Sequence, residues 1–417
     1  MSAVLALSLL LAQAPPGCSG QLGREAVVRC ALAASPGVEA AERAIEAAEG
    51  RKRAARTVLP GNPVLEVTAA ARRELGTAER DVNVYSRLSQ EIEIAGQRRK
   101  RIAVAEAEIE GQRRRALAVR REVAAEALRV YYELAAAQQQ QAMIERLTKA
   151  AERLVDLAAT GEKAGLVSGL AADLAASAVV KFRQQQVEAE RRVKTGQALL
   201  SGLLGHDPAT PAVSVVGDLS PIGIEGELPA LIELALARRA EIEVAAAEQA
   251  AQERLVEFYR RARVPNPSLV AFAQRDGFAE QVLGGGIALP IPLPAPLGRT
   301  YAGEIAESRA RVRQAAAELE RVRRQVRAEV VAAYEAVKAR QAEVALFDAE
   351  RLRRAEVHLE GLAEEMVAGR IAIREGVVMQ QAFLDLLAAH IEARRALALA
   401  GVELARVTGR LPEDVTR

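Results

Sequence analysis

Between Val82 and Ile94 the chain alternates. Val82, Val84, Leu88, Ile92 and Ile94 share one parity, and Asn83, Arg87, Ser89, Glu91 and Glu93 share the other. A period of two sends successive side chains to opposite faces, so this stretch is a strand with one apolar and one polar face. At Gly96 the period changes. From Gln97 to about Thr160 there is no proline and one glycine, Gly111, in a background of Ala, Glu, Arg, Leu and Gln. That mixture forms helix strongly, and at 1.5 Å per residue the helix would be on the order of 90 Å long. A compact domain has no use for a helix of that length.

Upstream, Pro36 to Leu59 reads as a helix. Ser35 is a natural N-cap, Pro36 takes the first helical position, and Val38, Ala41, Ile45 and Ala48 mark an apolar face. Pro60-Gly61-Asn62-Pro63 breaks it. Leu65, Val67, Ala69 and Ala71 then alternate with Glu66, Thr68, Ala70 and Arg72 as a second strand, joined to the first by a polar gap from Glu74 to Asp81. After Gly161 to Gly165 a return helix runs from about Val167 to Leu204, ended by Gly205, Pro208 and Pro211.

The same plan then repeats. Ala31-Leu32-Ala33 recurs as Ala235-Leu236-Ala237, Asn62-Pro63 as Asn266-Pro267, Gly165 as Gly369, and Gly205 with Pro208 as Gly409 with Pro412; each pair is offset by 204 (412 − 208). A fixed offset held along the chain is a tandem duplication. In the second copy Leu283, Gly285, Ile287, Leu289, Ile291 and Leu293 give a strand face, and Pro290, Pro292, Pro294 and Pro296 end strand pairing before a helix from Arg299. There Val312, Leu319 and Val326, and again Val330, Val337 and Val344, stand seven apart, the spacing of a coiled coil.

This order sets the expected organisation. Residues 1–14 are a signal peptide, with an apolar run from Val4 to Leu11 and an A-x-A site at Ala12-Gln13-Ala14. Residues 15–205 are the first repeat, with strands at about 62–74 and 81–95 and a helical hairpin at about 97–204. A linker covers 206–228. The second repeat covers 229–411, with strands at about 266–276 and 280–293 and a hairpin at about 299–409, and 412–417 form a tail.

Composition narrows the function. Half the chain is hydrophobic, aromatics are 3%, Trp is absent, and alanine supplies much of the apolar content, which suits close helix packing. The net charge of +2 arises from interleaved signs, and the longest basic runs, Gln97 to Arg101 and Arg113 to Arg115, are short. That argues against a nucleic-acid partner. No stretch has the roughly 18 consecutive apolar residues of a transmembrane helix. Cys18 and Cys30 could pair in an oxidising compartment, Cys18 could carry lipid although Pro15-Pro16-Gly17 is a poor context for it, or neither could have a role.

No enzyme chemistry is evident. His206, His358 and His390 lie far apart and match no metal-ligand spacing. Gly284-Gly285-Gly286 lacks the Gly-Lys-Ser/Thr of a phosphate loop and falls inside a strand pattern, as a bend or a close approach in a sheet. Nothing calls for a cofactor or a resident metal.

The duplicated order of helix, two strands, long helix and return helix resembles the TolC-like outer-membrane efflux proteins. So do Ser35-Pro36 to Asn62-Pro63, the segment Gln90 to Arg98, and Gly369 to Leu384. The resemblance covers nearly all of the chain after the leader. It implies a mainly helical fold with membrane β structure: a homotrimer in which four strands per chain build one twelve-stranded outer-membrane barrel, continuous with a periplasmic tunnel of coiled helices. Physics agrees, because four strands cannot close alone and an open edge cannot survive in lipid, whereas twelve is an even number that can close. The sequence departs from membrane barrels in its few aromatics, Tyr85, Phe272 and Phe278 with Tyr301 just beyond, and in apolar faces rich in Ala and Gly. Tyr85 falls on the polar, lumen-facing side.

The resemblance also places candidate sites at the hairpin tips, marked by Gly165 and Gly369, where family members close their periplasmic entrance. Alignment on Gly369 puts Glu375 where a ring of acids is expected and leaves Val378 where a second acid often stands. Asp173 occupies the matching turn of the first copy. Glu364 and Glu365 are weaker candidates, and Arg370 and Arg374 between these acids are expected to bridge neighbouring hairpins and hold the aperture shut. The implied function is a passive exit duct of a tripartite efflux system, fed by a periplasmic membrane-fusion adaptor and an inner-membrane pump of RND or ABC type. The Ile92 to Arg101 segment is most similar to the branch that exports heavy-metal cations. The rival reading is a periplasmic coiled-coil adaptor or scaffold, which would not need two duplicated strand pairs of membrane length.

Overall fold

A computed structural model describes residues 18–73, 80–165, 167–209, 213–276, 280–294, 296–367 and 370–411. The predicted signal peptide, the 412–417 tail, most of the Glu74 to Asp81 gap, Phe278 and Gly369 lie outside the described residues. The chain is mostly helical and divides into two compact units. One comprises residues 1–39, 117–239 and 324–417; the other comprises 40–116 and 240–323.

The elements run β1 (Gly20–Leu22), α1 (Arg24–Ala34), α2 (Pro36–Ala55), β2 (Val64–Arg73), β3 (Arg80–Glu91), α3 (Gln97–Lys163) and α4 (Gly169–Leu203). They continue as β4 (Val213–Val215), α5 (Leu228–Arg238), α6 (Ala240–Ala262), β5 (Ser268–Asp276), β6 (Glu280–Ala288), α7 (Ala302–Ala345), α8 (Ala349–Val367) and α9 (Ile373–Thr408). The duplication is visible in the starts: Arg24 and Leu228, Pro36 and Ala240, Val64 and Ser268, and Gly169 and Ile373 each stand one repeat offset apart.

In the strand-bearing unit β2, β3, β5 and β6 form one antiparallel sheet in that order. Leu65 pairs with Leu88, Leu88 with Ala271, and Ala271 with Gly285. The parity read from the sequence therefore holds across the whole sheet. Leu65, Val67, Val84, Leu88, Leu269 and Ile287 share one face, and all are exposed. Glu66, Thr68, Arg87, Gln274 and Tyr85 share the other, where Asn83 is buried and donates from Nδ2 to the Tyr85 hydroxyl at 3.0 Å. Phe272 is paired with Gly284 and lies over it: a Cβ on Gly284 would come within 2.4 Å of the ring. That close approach accounts for Gly284, the first of the run that the sequence marks as a bend or an approach.

Two strands stop short of their predicted ends, β3 at Glu91 rather than 95 and β6 at Ala288 rather than 293. At β3 the backbone donor of Ala95 is taken by the Gln97 side chain at 2.8 Å, and Gln97 in turn donates to Asn266 Oδ1 at 2.8 Å. At β6 the alternate prolines have no N–H to offer a neighbour. Helix α2 also stops early, at Ala55 rather than Leu59. The carbonyls at its end are capped by the start of α3: Arg98 donates to Arg56 O at 2.8 Å and Arg101 to Ala55 O at 3.2 Å.

The other unit is a helical body. Val27, Leu128, Tyr132, Leu200, Leu204 and Val402 are fully buried in its largest apolar cluster. The Tyr132 hydroxyl donates to Ser220 O at 2.8 Å and accepts from Arg24 at 3.2 Å, so a large aromatic is buried with its polar end satisfied. Cys18 and Cys30 form a disulfide, and Cys18 O is 2.7 Å from His206 Nε2. Of the alternatives open for the cysteines, the structure has the pair. It fastens β1 to α1, and β1 lies parallel to β4, with Gly20 opposite Val213. Neither β1 nor β4 was foreseen, since three-residue strands carry too little pattern to read.

The second hairpin departs from the expected continuous helix. It breaks between α7 and α8, where Asp348 Oδ1 accepts from Glu350 N at 2.9 Å and Phe347 packs on His390 with centroids 5.3 Å apart. Asp348 is an N-cap in the middle of a helix-forming run. Along α7, Leu319, Val326 and Val330 are buried as coiled-coil spacing requires, while Val337 and Val344 nearer the break are only half-buried.

Candidate functional site

The tip of the first hairpin is built by local backbone geometry. Gly165 adopts φ +73°, where a side chain would be strained, and its N–H donates to Glu162 O at 2.9 Å. Ser168 then caps α4, its Oγ accepting from Ala171 N at 3.3 Å. Asp173 lies in the first turns of α4 with its side chain exposed.

The tip of the second hairpin carries the charged candidates. Arg370 donates to both Glu365 oxygens, the Nη2 contact being 2.8 Å, while its backbone N–H donates to Glu365 O at 3.0 Å. The guanidinium holds the Glu365 carboxyl below the usual carboxylate range, and Glu365 raises Arg370 in return. The structure thus pairs Arg370 inside its own hairpin. The cause is proximity: the turn brings the two residues together in a bidentate fork. Glu364 is exposed close by and adds to the field at Arg370.

Arg374 and Glu375 begin α9, exposed and without a hydrogen-bond or ion-pair partner among the described residues. Glu375 in the first helical turn is favoured by the helix dipole. One contributor was not legible in the sequence. Met366 packs onto Gly376 so closely that a Cβ there would sit 1.9 Å from the sulfur. The tips therefore carry one clamped pair, Glu365 with Arg370, and the exposed charges of Asp173, Arg374 and Glu375, whose side chains have no partner among the described residues.

The sheet is the second candidate element. Among the described residues no further strand pairs with its edge strands, β2 and β6, and its apolar face is exposed. Strands of 10, 12, 9 and 9 residues match the length of a tilted membrane strand. Among the described residues no helix is long and apolar enough to cross a membrane, and no three His, Cys, Asp or Glu are placed to hold a metal ion. His206 is bonded to the Cys18 carbonyl, His358 stacks on Phe383 at 6.2 Å and His390 packs on Phe347.

A chain with this topology and these tips has clear relatives. Residues 27–206 match the model of the outer membrane efflux protein family. The fold is that of solved outer-membrane proteins. VceC from Vibrio cholerae superimposes with a TM-score of 0.68 at 18% identity over 93% of this chain and 96% of that one. CusC gives 0.72 at 14% identity over 94% and 93%. The open state of the MtrE outer membrane channel of Neisseria gonorrhoeae gives 0.67 at 14% identity over 93% and 88%. Protein CyaE of Bordetella pertussis is 30% identical over 284 residues, which is 66% of this chain and 60% of that protein's length. The family match covers the first repeat and the chain spans less than two thirds of the length of CyaE, so the chain resembles the outer membrane efflux proteins and shares the fold of the solved channels.

Proposed function

We propose that this chain is the outer-membrane channel subunit of a tripartite export system. Three copies close a twelve-stranded barrel in the outer membrane, and their helices form a duct in the periplasm. The observation that carries this reading is the four-stranded sheet, with both edges open and its apolar face exposed. The strands run up, down, up, down, so β6 of one copy meets β2 of the next antiparallel, and twelve strands close without a clash of direction. A coiled-coil adaptor, the rival reading, has no use for such a sheet.

The duct is passive. It has no catalytic role, and a periplasmic adaptor with an inner-membrane pump of RND or ABC type supplies cargo and energy. For the cargo we propose heavy-metal cations. Support comes from the likeness of Ile92 to Arg101 to that branch, and from exposed acids at the tips that threefold symmetry would repeat around the axis as a cation-attracting constriction.

Planar-bilayer recording tests the duct and its aperture together. Wild type should give discrete conductance steps. Glu375→Ala should change conductance and weaken block by divalent cations, and the effect should shrink as salt screens lumen charge over a Debye length of about 10 Å at 0.1 M. Arg374→Ala should raise the open fraction, because Arg374 is the tip cation left free to reach a neighbouring hairpin. Wild-type traces from both variants at low salt would remove these residues from the aperture. A protein giving no steps at all would remove the channel reading.

A further inference from the structure

We infer that the helix-side rim of the sheet is a collar for anionic phospholipid headgroups of the leaflet facing the periplasm. This inference rests on the reading of the sheet as part of a membrane barrel.

The pairing fixes which segments share that rim. Val64 is opposite Ser89, Glu91 opposite Ser268, and Ser268 opposite Ala288, so the segments 51–63, 91–101, 257–267 and 289–301 all meet there. In these segments twelve basic residues face three acidic ones. At the opposite rim, where Arg73 pairs with Arg80 and Asp276 with Glu280, the described residues are four basic, Arg72, Arg73, Arg80 and Arg275, against three acidic, Asp81, Asp276 and Glu280. One sheet thus has a strongly positive end and a nearly neutral one. Its net charge as a chain, +2, conceals this because the asymmetry is local.

Part of the positive charge is internally engaged. Arg98 and Arg101 cap α2, Arg51 pairs with Glu108 at 3.0 Å, and Lys52 with Glu106 at 2.9 Å. Arg53, Arg99, Arg261 and Arg263 are different: each is exposed, and its guanidinium has no hydrogen-bond or ion-pair partner among the described residues. An exposed guanidinium can grip a phosphate through two parallel hydrogen bonds.

The same rim exposes apolar side chains that no protein element covers. Val58 is 72% exposed, Ile94 61%, Ile291 81% and Leu297 78%. Aromatics also gather here from distant parts of the chain. Tyr259 and Tyr301 stack with centroids 6.1 Å apart, and the Arg299 guanidinium lies 4.6 Å over the Tyr301 ring. Apolar tips, tyrosines and free arginines on one rim match the layered chemistry of a bilayer surface: acyl chain, interface, phosphate. A soluble anion would call for the arginines but not for the apolar residues beside them.

The test uses the full chain in nanodiscs of phosphatidylcholine alone and of phosphatidylcholine mixed with phosphatidylglycerol. After detergent extraction from mixed discs, the ratio of the two lipids still held by the protein is read by mass spectrometry. Each arginine near an anionic surface is worth about fivefold in occupancy, so wild type should enrich phosphatidylglycerol by about fivefold or more. The combined variant Arg53→Gln, Arg99→Gln, Arg261→Gln and Arg263→Gln should return to the bulk ratio. Arg73→Gln with Arg80→Gln, at the opposite rim, should keep the wild-type enrichment. No enrichment in wild type, or full enrichment in the fourfold variant, overturns the collar. Protease resistance of the sheet in phosphatidylcholine discs separates the two failures. Insertion without lipid selectivity rejects the collar and leaves the barrel, whereas no insertion rejects both.

Discussion

Arginine at Leu88, one pair inside the helix-side rim, should cost up to about 1 kcal/mol of barrel stability, arginine at Val84 near mid-wall about 2–4 kcal/mol, and arginine at Ser89 next to Leu88 almost nothing. Leu88 is paired with Leu65 on one side and Ala271 on the other, on the face that also carries Val67, Val84, Leu269 and Ile287. If that face meets lipid, a guanidinium at position 84 has only acyl chains around it and loses its hydration. Ser89 has the opposite parity and shares its face with Arg87, Glu91, Thr68 and Gln274, so a charge there meets a watery lumen. A trimer repeats the penalty three times around the wall. Denaturant unfolding in detergent micelles or lipid checks it. Equal tolerance of Val84→Arg and Ser89→Arg would mean that this face does not meet lipid.

The second large effect is expected at the N-terminal staple. Cys18→Ser should destabilise the helical unit by about 2–5 kcal/mol, the usual consequence of losing a native disulfide. Both cysteines are 5% exposed and belong to the same apolar cluster as Leu22, Val27 and Leu204, so the bond holds β1 against a core rather than tethering a loose end. Loss of the bond should also free β1 from β4 and the Cys18 carbonyl from His206. Thermal melts with and without reductant check this. Wild type should fall to the variant's melting temperature on reduction, and the variant should not respond. A buried, paired Cys18 is also unavailable for acylation, so the intact mass of wild type should carry no lipid. A wild-type melt indifferent to reductant would contradict the staple.

The strands and long helices were legible because their signals are repetitive. The two-residue period of Val82 to Ile94 and the proline-free run after Gln97 each extend over many residues, and the 204 offset supplies each signal twice. Strand ends were less legible. Gln97 ends β3 by reaching Asn266, a partner 169 positions away that periodicity cannot reveal. The α7–α8 break escaped notice because one Asp in a helix-forming run is weak evidence. Only the cap at Glu350 N and the packing of Phe347 on His390 make it decisive. At the tips, Glu375 and Asp173 could be named from alignment on glycines, but which charges pair could not. The Glu365–Arg370 clamp depends on a turn geometry that the sequence does not encode by spacing alone. The basic rim was seen only as short solvated runs, since its parts lie in four separate segments that the sheet brings to one end.

The central claim is that this four-stranded sheet is one third of a closed wall. The most direct measurement is the particle mass of the detergent-solubilised protein, taken with its circular dichroism. The account predicts three chains per particle, with the β signal lost when the particle is dissociated, because β2 and β6 have no other partner. A stable monomer that keeps its full β signal would contradict it.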